Sequence, residues 1–216
     1  MIYVEKFIVN PLRENSYLLY DETGECILVD AGFYYGEEYD ELDTFIRRKE
    51  LRPVALVNTH CHFDHLMGIG ELRKKYDLKF YCHPDDVFLI ERSSVQAEMF
   101  GFTMDAPGAP DGFVREGEPV KFGDSSLEVF HVPGHSPGHV VFYSAQDKFL
   151  MAGDVLFYGS IGRTDLPGGN YETLINNIRN KLLVLPEETR VYSGHGPETS
   201  VGFEKFNHCC PVNRKI

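Results

Sequence analysis

The sequence has no tryptophan and only five cysteines, Cys26, Cys61, Cys82, Cys209 and Cys210, with no C-x-x-C pair among them. An odd and irregularly spaced set excludes a disulfide framework and predicts reduced thiols in a cytosol. Basic residues are scarce: 21 Lys and Arg stand against 33 Asp and Glu, for a formal charge of −12. Such a surface repels a phosphate backbone, so nucleic acid is not an expected partner. No apolar run approaches the ~18 residues of a membrane span, and the opening MIYVEKFIVN lacks the apolar core of a secretory leader. The expectation is a soluble cytoplasmic protein with one folded domain, 1–216, and no readable oligomeric state.

What is present reads as two similar halves. Each half opens with a predicted hairpin: Ser16–Tyr20 with Cys26–Val29, and Val140–Tyr143 with Phe149–Ala152. Both hairpins end in a small-residue turn containing an aspartate, VDAG at Asp30 and AGDV at Asp154. Each is followed by an amphipathic stretch, with apolar residues Tyr39, Leu42, Phe45 and Ile46 on one face of Glu37–Glu50. In Tyr171–Leu183 the stripe is Leu174, Ile175, Ile178 and Leu182, and Asn170 stands at the N-cap. Each helix leads to a short apolar strand, Pro53–Asn58 or Arg190–Ser193, that runs into histidine. The order predicts an internal duplication, with sheets covered by helices on their outer faces. A further helix is expected over Pro84–Gly101, and a surface loop over Thr103–Gly112.

The sharpest feature is His60-Cys61-His62-Phe63-Asp64-His65. At a strand end, side chains two apart share a side, so His60 and His62 can hold one metal ion, while the turn that follows lets Asp64 and His65 face a second. Imidazole with carboxylate suits zinc, with iron or manganese also possible. Further candidate ligands stand after other strand-like runs: His135 and His139 in VPGHSPGH, Asp154 in MAGDV, and His195 in SGHG. Sheet proteins commonly place their sites at such strand ends.

In chain order, VDAG, THCHFDH, PGHSPGH, GDVLFYGSIGRTDLPGG and YSGHGPET resemble the metallo-β-lactamase superfamily, and within it the glyoxalase-II-like (hydroxyacylglutathione hydrolase-like) group. The resemblance runs from Asn15 to about Phe206. It implies an α+β fold, a four-layer αββα sandwich. By position it assigns His60, His62 and His135 to one metal, Asp64, His65 and His195 to the other, and Asp154 as the bridge. His139 matches a family histidine that is not a ligand. His62 departs from flavodiiron proteins, which carry Glu there, and Asp154 departs from true β-lactamases, which lack the bridging Asp. Arg163 falls where the family has a glutathione-contacting lysine and keeps its charge. Asp165 and Pro197 replace two family tyrosines, and no C-terminal helical domain is expected.

The implied activity is hydrolysis of a small, anionic thioester or related acyl compound. Two zinc ions would hold a bridging hydroxide, which Asp64 orients, and polarise the carbonyl, with Arg163 binding substrate. A thiolate leaves readily, so no strong general acid is required. The alternative is an oxidoreductase: persulfide dioxygenases resemble the same scaffold, share the GRTD run Gly162–Asp165, and would place a single iron on His60, His135 and Asp154.

Overall fold

Apolar side chains that alternate along consecutive strands have to be buried on both faces, and this chain does so with two sheets. The computed structural model describes residues 1–207, which leaves Cys209 and Cys210 outside the described residues. The first sheet contains β1 (Tyr3–Val9), β2 (Glu14–Tyr20), β3 (Glu25–Val29), β4 (Arg52–Val57), β5 (Lys79–Cys82) and β6 (Gly112–Phe113), in that spatial order. Its first three strands form an antiparallel meander, and β4, β5 and β6 extend it in parallel from β3. The second sheet begins with β7 (Val120–Phe122), β8 (Ser125–His131), β9 (Val140–Ser144) and β10 (Phe149–Gly153). A small separate ribbon, β11 (Leu156–Phe157) and β12 (Ser160–Ile161), intervenes before β13 (Arg190–Ser193) and β14 (Thr199–Ser200) continue the sheet beyond β10.

The strand period of two sorts the core into layers. Tyr17, Leu19, Ile27, Val29 and Val57 point between the sheets, against Val129, Phe142, Phe149, Met151 and Tyr192. Their neighbours Leu18, Leu28, Leu56 and Phe80 point outward. They are covered by α1 (Gly36–Arg48), α2 (Ile69–Tyr76) and α3 (Val87–Met99) through residues such as Leu42, Phe45, Leu72 and Leu89. On the far face Val141, Leu150 and Val191 meet Leu174, Ile175, Ile178 and Leu182 of α4 (Tyr171–Asn177) and the wide π-type turn after it. Val201, which opens α5 (Val201–Asn207), joins this layer. The result is the αββα sandwich.

The duplication is visible as topology. Hairpin β2–β3 crosses through α1 to β4, parallel to β3; hairpin β9–β10 crosses through α4 to β13, parallel to β10. Two local expectations change. The single helix expected over 171–183 is α4, capped by the Asn170 side chain accepting from Thr173 N at 2.9 Å, followed by the π turn Ile178–Leu182. That wide turn buries both Ile178 and Leu182. The helix expected over 84–101 starts as a 3-10 turn at Pro84 and is α-helical only from Val87 to Met99. β1, α2 and β5 had no counterpart among the expected elements. No helix among the described residues is long and apolar enough to cross a membrane.

Candidate metal centre

The parallel strands of both sheets run their C-terminal ends to one edge of the sandwich. There β3 delivers Asp30, β4 delivers His60, β10 delivers Asp154 and β13 delivers His195. The 3-10 turn Phe63–His65 brings Asp64 and His65 back over this edge, and the β8–β9 connection adds His135. All seven expected metal residues meet here. His60, His62 and His135 form one group with ligand atoms within 4.8 Å of one another, and Asp64, His65 and His195 form another. Asp154 lies between them. Its Oδ1 is 3.6 Å from His65 Nε2, and its Oδ2 is 3.6 Å from His135 Nε2 and 3.7 Å from His195 Nε2. Asp64 Oδ2 lies 3.2 Å from His195 Nε2 and 3.8 Å from His65 Nε2.

Hydrogen bonds behind the rings decide which nitrogens face inward. His135 Nδ1 is 2.8 Å from the Arg163 carbonyl, which can only accept, so Nδ1 carries the proton and Nε2 the lone pair. The Thr59 hydroxyl donates to Asp30 Oδ2 at 2.6 Å, so its oxygen accepts from His60 Nδ1 at 3.1 Å and leaves His60 Nε2 unprotonated. Asp30 also stands 3.3 Å from His65 Nδ1, with Glu14 Oε1 at 3.6 Å, so the inward atom of His65 is Nε2. Orientation of a ligating histidine by a carboxylate or carbonyl behind it is typical of metal sites. The inward atoms His60 Nε2, His65 Nε2 and Asp154 Oδ1 are buried without a hydrogen-bond partner, while His62 turns its Nδ1 inward, 2.9 Å from His135 Nε2. Orphaned buried acceptors are costly unless a cation completes them, and this donor set fits divalent metal.

The electrostatics agree with that fit. Burial, reinforced by neighbouring imidazoles, holds His60 and His139 well below the ordinary histidine range and lowers His62 to about 3. These rings are therefore neutral, the form that ligates metal. Burial alone would raise the Asp64 and Asp154 carboxyls. His65, with His195 and for Asp154 also His135, supplies the positive partner that a bound cation would replace. This outweighs burial and keeps both below the usual carboxylate range.

His139 plays a different part from the seven. Its ring stacks on His60 at 4.7 Å, and its Nε2 accepts from the Asp154 backbone N–H at 3.1 Å. Backbone positions are fixed equally closely. At Gly194 a Cβ would collide with Asp154 Oδ1, and at Gly153, with φ +48°, it would collide with Thr59 Oγ1. Asp86 ties the two ligand loops together, accepting from Cys61 N at 3.0 Å, Ser136 Oγ at 2.7 Å and Gly138 N at 2.6 Å. Asn58 Nδ2 donates to the carbonyls of His60 and His65.

Asp30, Glu14, Asp86 and Asn58 were not among the expected site residues. Only Asp30 carried a signal, since its VDAG turn is the counterpart of the AGDV turn at Asp154. Arg163 lines the cavity over the centre, as do Asp64, Asp154 and His195, but its guanidinium forks onto Asp165 at 2.7 and 2.8 Å. A separate group, His83, Asp85 and His131, lies outside this edge with its imidazoles stacked at 4.2 Å and 14°. Near-parallel rings do not aim their lone pairs at one point.

Known proteins are similar to this chain over almost its whole length. The chain is 40% identical over 194 residues to "Probable metallo-hydrolase YqgX" of Bacillus subtilis, covering 89% of this chain and 90% of that protein. It is 36% identical over 204 residues to "Hydroxyacylglutathione hydrolase GloC" of Haemophilus influenzae, covering 94% of each. The solved structure "TTHA1623 in a di-iron-bound form" superimposes with a TM-score of 0.86 at 38% identity, covering 95% of this chain and 99% of that one. Residues 9–195 match the metallo-beta-lactamase superfamily, whose fold implies a binuclear metal site. A duplicated αββα sandwich with two ligand triads on one edge and an aspartate between them thus makes this chain a member of the metallo-beta-lactamase superfamily.

Proposed function

We propose that the protein is a metal-dependent hydrolase of a small anionic thioester, of the hydroxyacylglutathione hydrolase kind. The observation that carries this is the pair of ligand triads sharing Asp154, with His60 Nε2, His65 Nε2 and Asp154 Oδ1 buried and unpartnered at their centre. The 36% identity to a hydroxyacylglutathione hydrolase supports the choice of substrate. His60, His62 and His135 would hold one ion, Asp64, His65 and His195 the other, and Asp154 both; zinc is first choice, with iron or manganese compatible. Bound in pairs, such ions polarise a carbonyl and acidify water toward neutral pH.

The chain's own groups do the rest. Asp64, already held on one oxygen by His195, orients the attacking water. His139 fixes the Asp154 backbone, and the Asp30–Thr59 pair fixes His60, so the carboxylate and imidazole positions persist through turnover. A leaving thiolate is stable as the anion, so no protein acid has to meet it. Arg163 sits on the cavity wall and would take the substrate's anionic group in exchange for Asp165, an exposed partner whose ion pair is weak in water. The same reading treats the whole chain as one catalytic domain and places it in the cytoplasm, in keeping with free thiols at Cys26, Cys61 and Cys82.

The test combines elemental analysis with turnover. Reconstituted protein should bind about two ions and hydrolyse S-lactoylglutathione. Arg163→Ala should raise KM for this anionic thioester much more than it lowers kcat, the mark of lost uniform binding. A single bound iron, oxygen uptake on a persulfide and no thioester hydrolysis would replace this reading with the dioxygenase one.

A further inference from the structure

The cavity over the metal centre measures about 500 Å³, within the range of small-molecule sites. Beyond the metal side chains its wall is mostly carbon: Leu12, Phe63, Met99, Phe100, Leu166 and Pro167. Met99 and Phe100, at the C-terminal end of α3, are 81% and 58% exposed. Phe100 lies against Phe63, with centroids 5.2 Å apart, and Phe63 is buried beside Met67 and Ala97. So Phe100 rests on a firm apolar floor and still presents surface to solvent. Exposed aromatic and thioether surface gathered beside a reaction centre marks a place where a ligand excludes water.

Charge points the same way. Histidines aside, Arg163 is the sole cationic side chain of this wall among the described residues, and Asp165 engages it twice. Arg163 is the point at which an anionic thiol half would be met, which leaves the apolar remainder of the wall to the acyl half. The side chain of Gln96 places a buried oxygen in the same wall with no hydrogen-bond partner, one polar point in an apolar surface.

We propose that this wall receives an unbranched aliphatic acyl arm of the substrate, so that the enzyme prefers medium-chain acyl thioesters to the short hydroxyacyl group. This rests on the hydrolase reading for the reaction but not for binding, because the apolar wall takes the chain whether or not the thioester is cleaved. Full burial of a methylene is worth ~0.8 kcal/mol, so each added CH₂ should tighten binding roughly fourfold until the cavity is filled.

The experiment titrates metal-loaded full-length protein with straight-chain carboxylates from acetate to octanoate, and in parallel measures kcat/KM for N-acetylcysteamine thioesters of the same acyl chains. The expected result is a graded fall in Kd over the first several methylenes, matched by a graded rise in kcat/KM. Phe100→Ser and Met99→Ser, both at exposed positions, should flatten the slope in each series. Affinity that is flat from acetate onward overturns the proposal even if thioesters are hydrolysed. Slopes that the two wall variants leave unchanged overturn it as well. Graded binding without hydrolysis of any thioester supports the acyl wall and removes the thioesterase reading instead.

Discussion

The two ends of the sandwich each hold a carboxylate kept ionised in a place where burial would neutralise it, and they do so by opposite means. At one end Asp21, in the β2–β3 turn, accepts from Thr23 N at 3.0 Å and from the Thr23 hydroxyl. It also accepts from Asp124 N at 2.9 Å and Ser125 Oγ at 2.7 Å, across the gap in the β7–β8 hairpin. Those donors outweigh desolvation and lower its pKa. At the other end Asp154 is held ionised by imidazoles that point at it, and its Oδ1 has no hydrogen-bond donor. The first carboxylate is satisfied by the chain and serves to staple one sheet to the other. The second is left incomplete among rings that are themselves incomplete, which is the condition for binding a cation. A buried acid alone therefore says little about function; whether the chain finishes its hydrogen bonding separates the staple from the site.

The comparison breaks first at Asp154. Asp154→Ala should lose most bound metal and lower turnover by at least about 10²–10³-fold, the scale of removing a principal electrostatic group from a site. His60→Ala should keep about one ion on the Asp64 side. Elemental analysis of wild type and both variants reads this directly. Two ions retained in Asp154→Ala would show that the carboxylate does not join the triads.

At the other end, Asp21→Ala strands four donors at an inter-sheet contact. A fully buried unsatisfied group costs on the order of 1 kcal/mol or more. These donors are only part-buried and water takes up some of them, so urea unfolding should show a loss of about 2–3 kcal/mol. The kcat should be unchanged, because β2 separates the two ends by about 20 Å at its rise of ~3.3 Å per residue. A tenfold fall in kcat at full metal occupancy would show that the ends are coupled.

Most of this contrast was legible at one end only. The H-x-H-x-D-H run and the motifs at His135, His139, Asp154 and His195 offered the seven converging side chains and one more, because metal ligation demands particular residue types at strand ends; only the family resemblance set His139 apart. The duplicated order of hairpin, helix and strand also carried the sandwich. Asp21 carries no comparable signal: aspartate in a turn is ordinary, and its partners Asp124 and Ser125 are more than 100 residues away. β1 escaped because most of its side chains are exposed or half-buried and only Phe7 and Val9 are buried, too short an alternation to read. Glu14 and Asp86 escaped for a related reason: their value lies in backbone and ring nitrogens supplied by distant segments.

Acid sharpens the comparison further. The Asp21 pKa is lowered in the fold, so its contribution is fully present above its ordinary value near 3.8. It is lost as pH falls through the lower folded value. The stability difference between wild type and Asp21→Asn should thus stay constant above about pH 5 and shrink below 3.8. Taking the difference cancels metal release common to both proteins. A difference that grows as pH falls would mean that Asp21 is protonated in the native state.

The smallest effect is expected at Cys61, although it sits between two ligands. Its side chain is fully buried in the layer under α1, α2 and α3, in the same cluster as Cys82, while its backbone N–H donates to Asp86. Burial, with Cys82 alongside, pushes the Cys61 thiol well above its ordinary range. A thiol that stays protonated is neither nucleophile nor ligand. Cys61→Ser changes one atom and keeps the backbone bond to Asp86, so bound metal and kcat should match wild type. Stability should fall by only about 1 kcal/mol, for a hydroxyl placed where the surroundings are mostly apolar. Thermal unfolding and elemental analysis on the same preparation check both parts. Loss of one ion from Cys61→Ser would mean that the sulfur turns toward the metals and that the ligand loop, like the rings around it, is left unfinished by the chain.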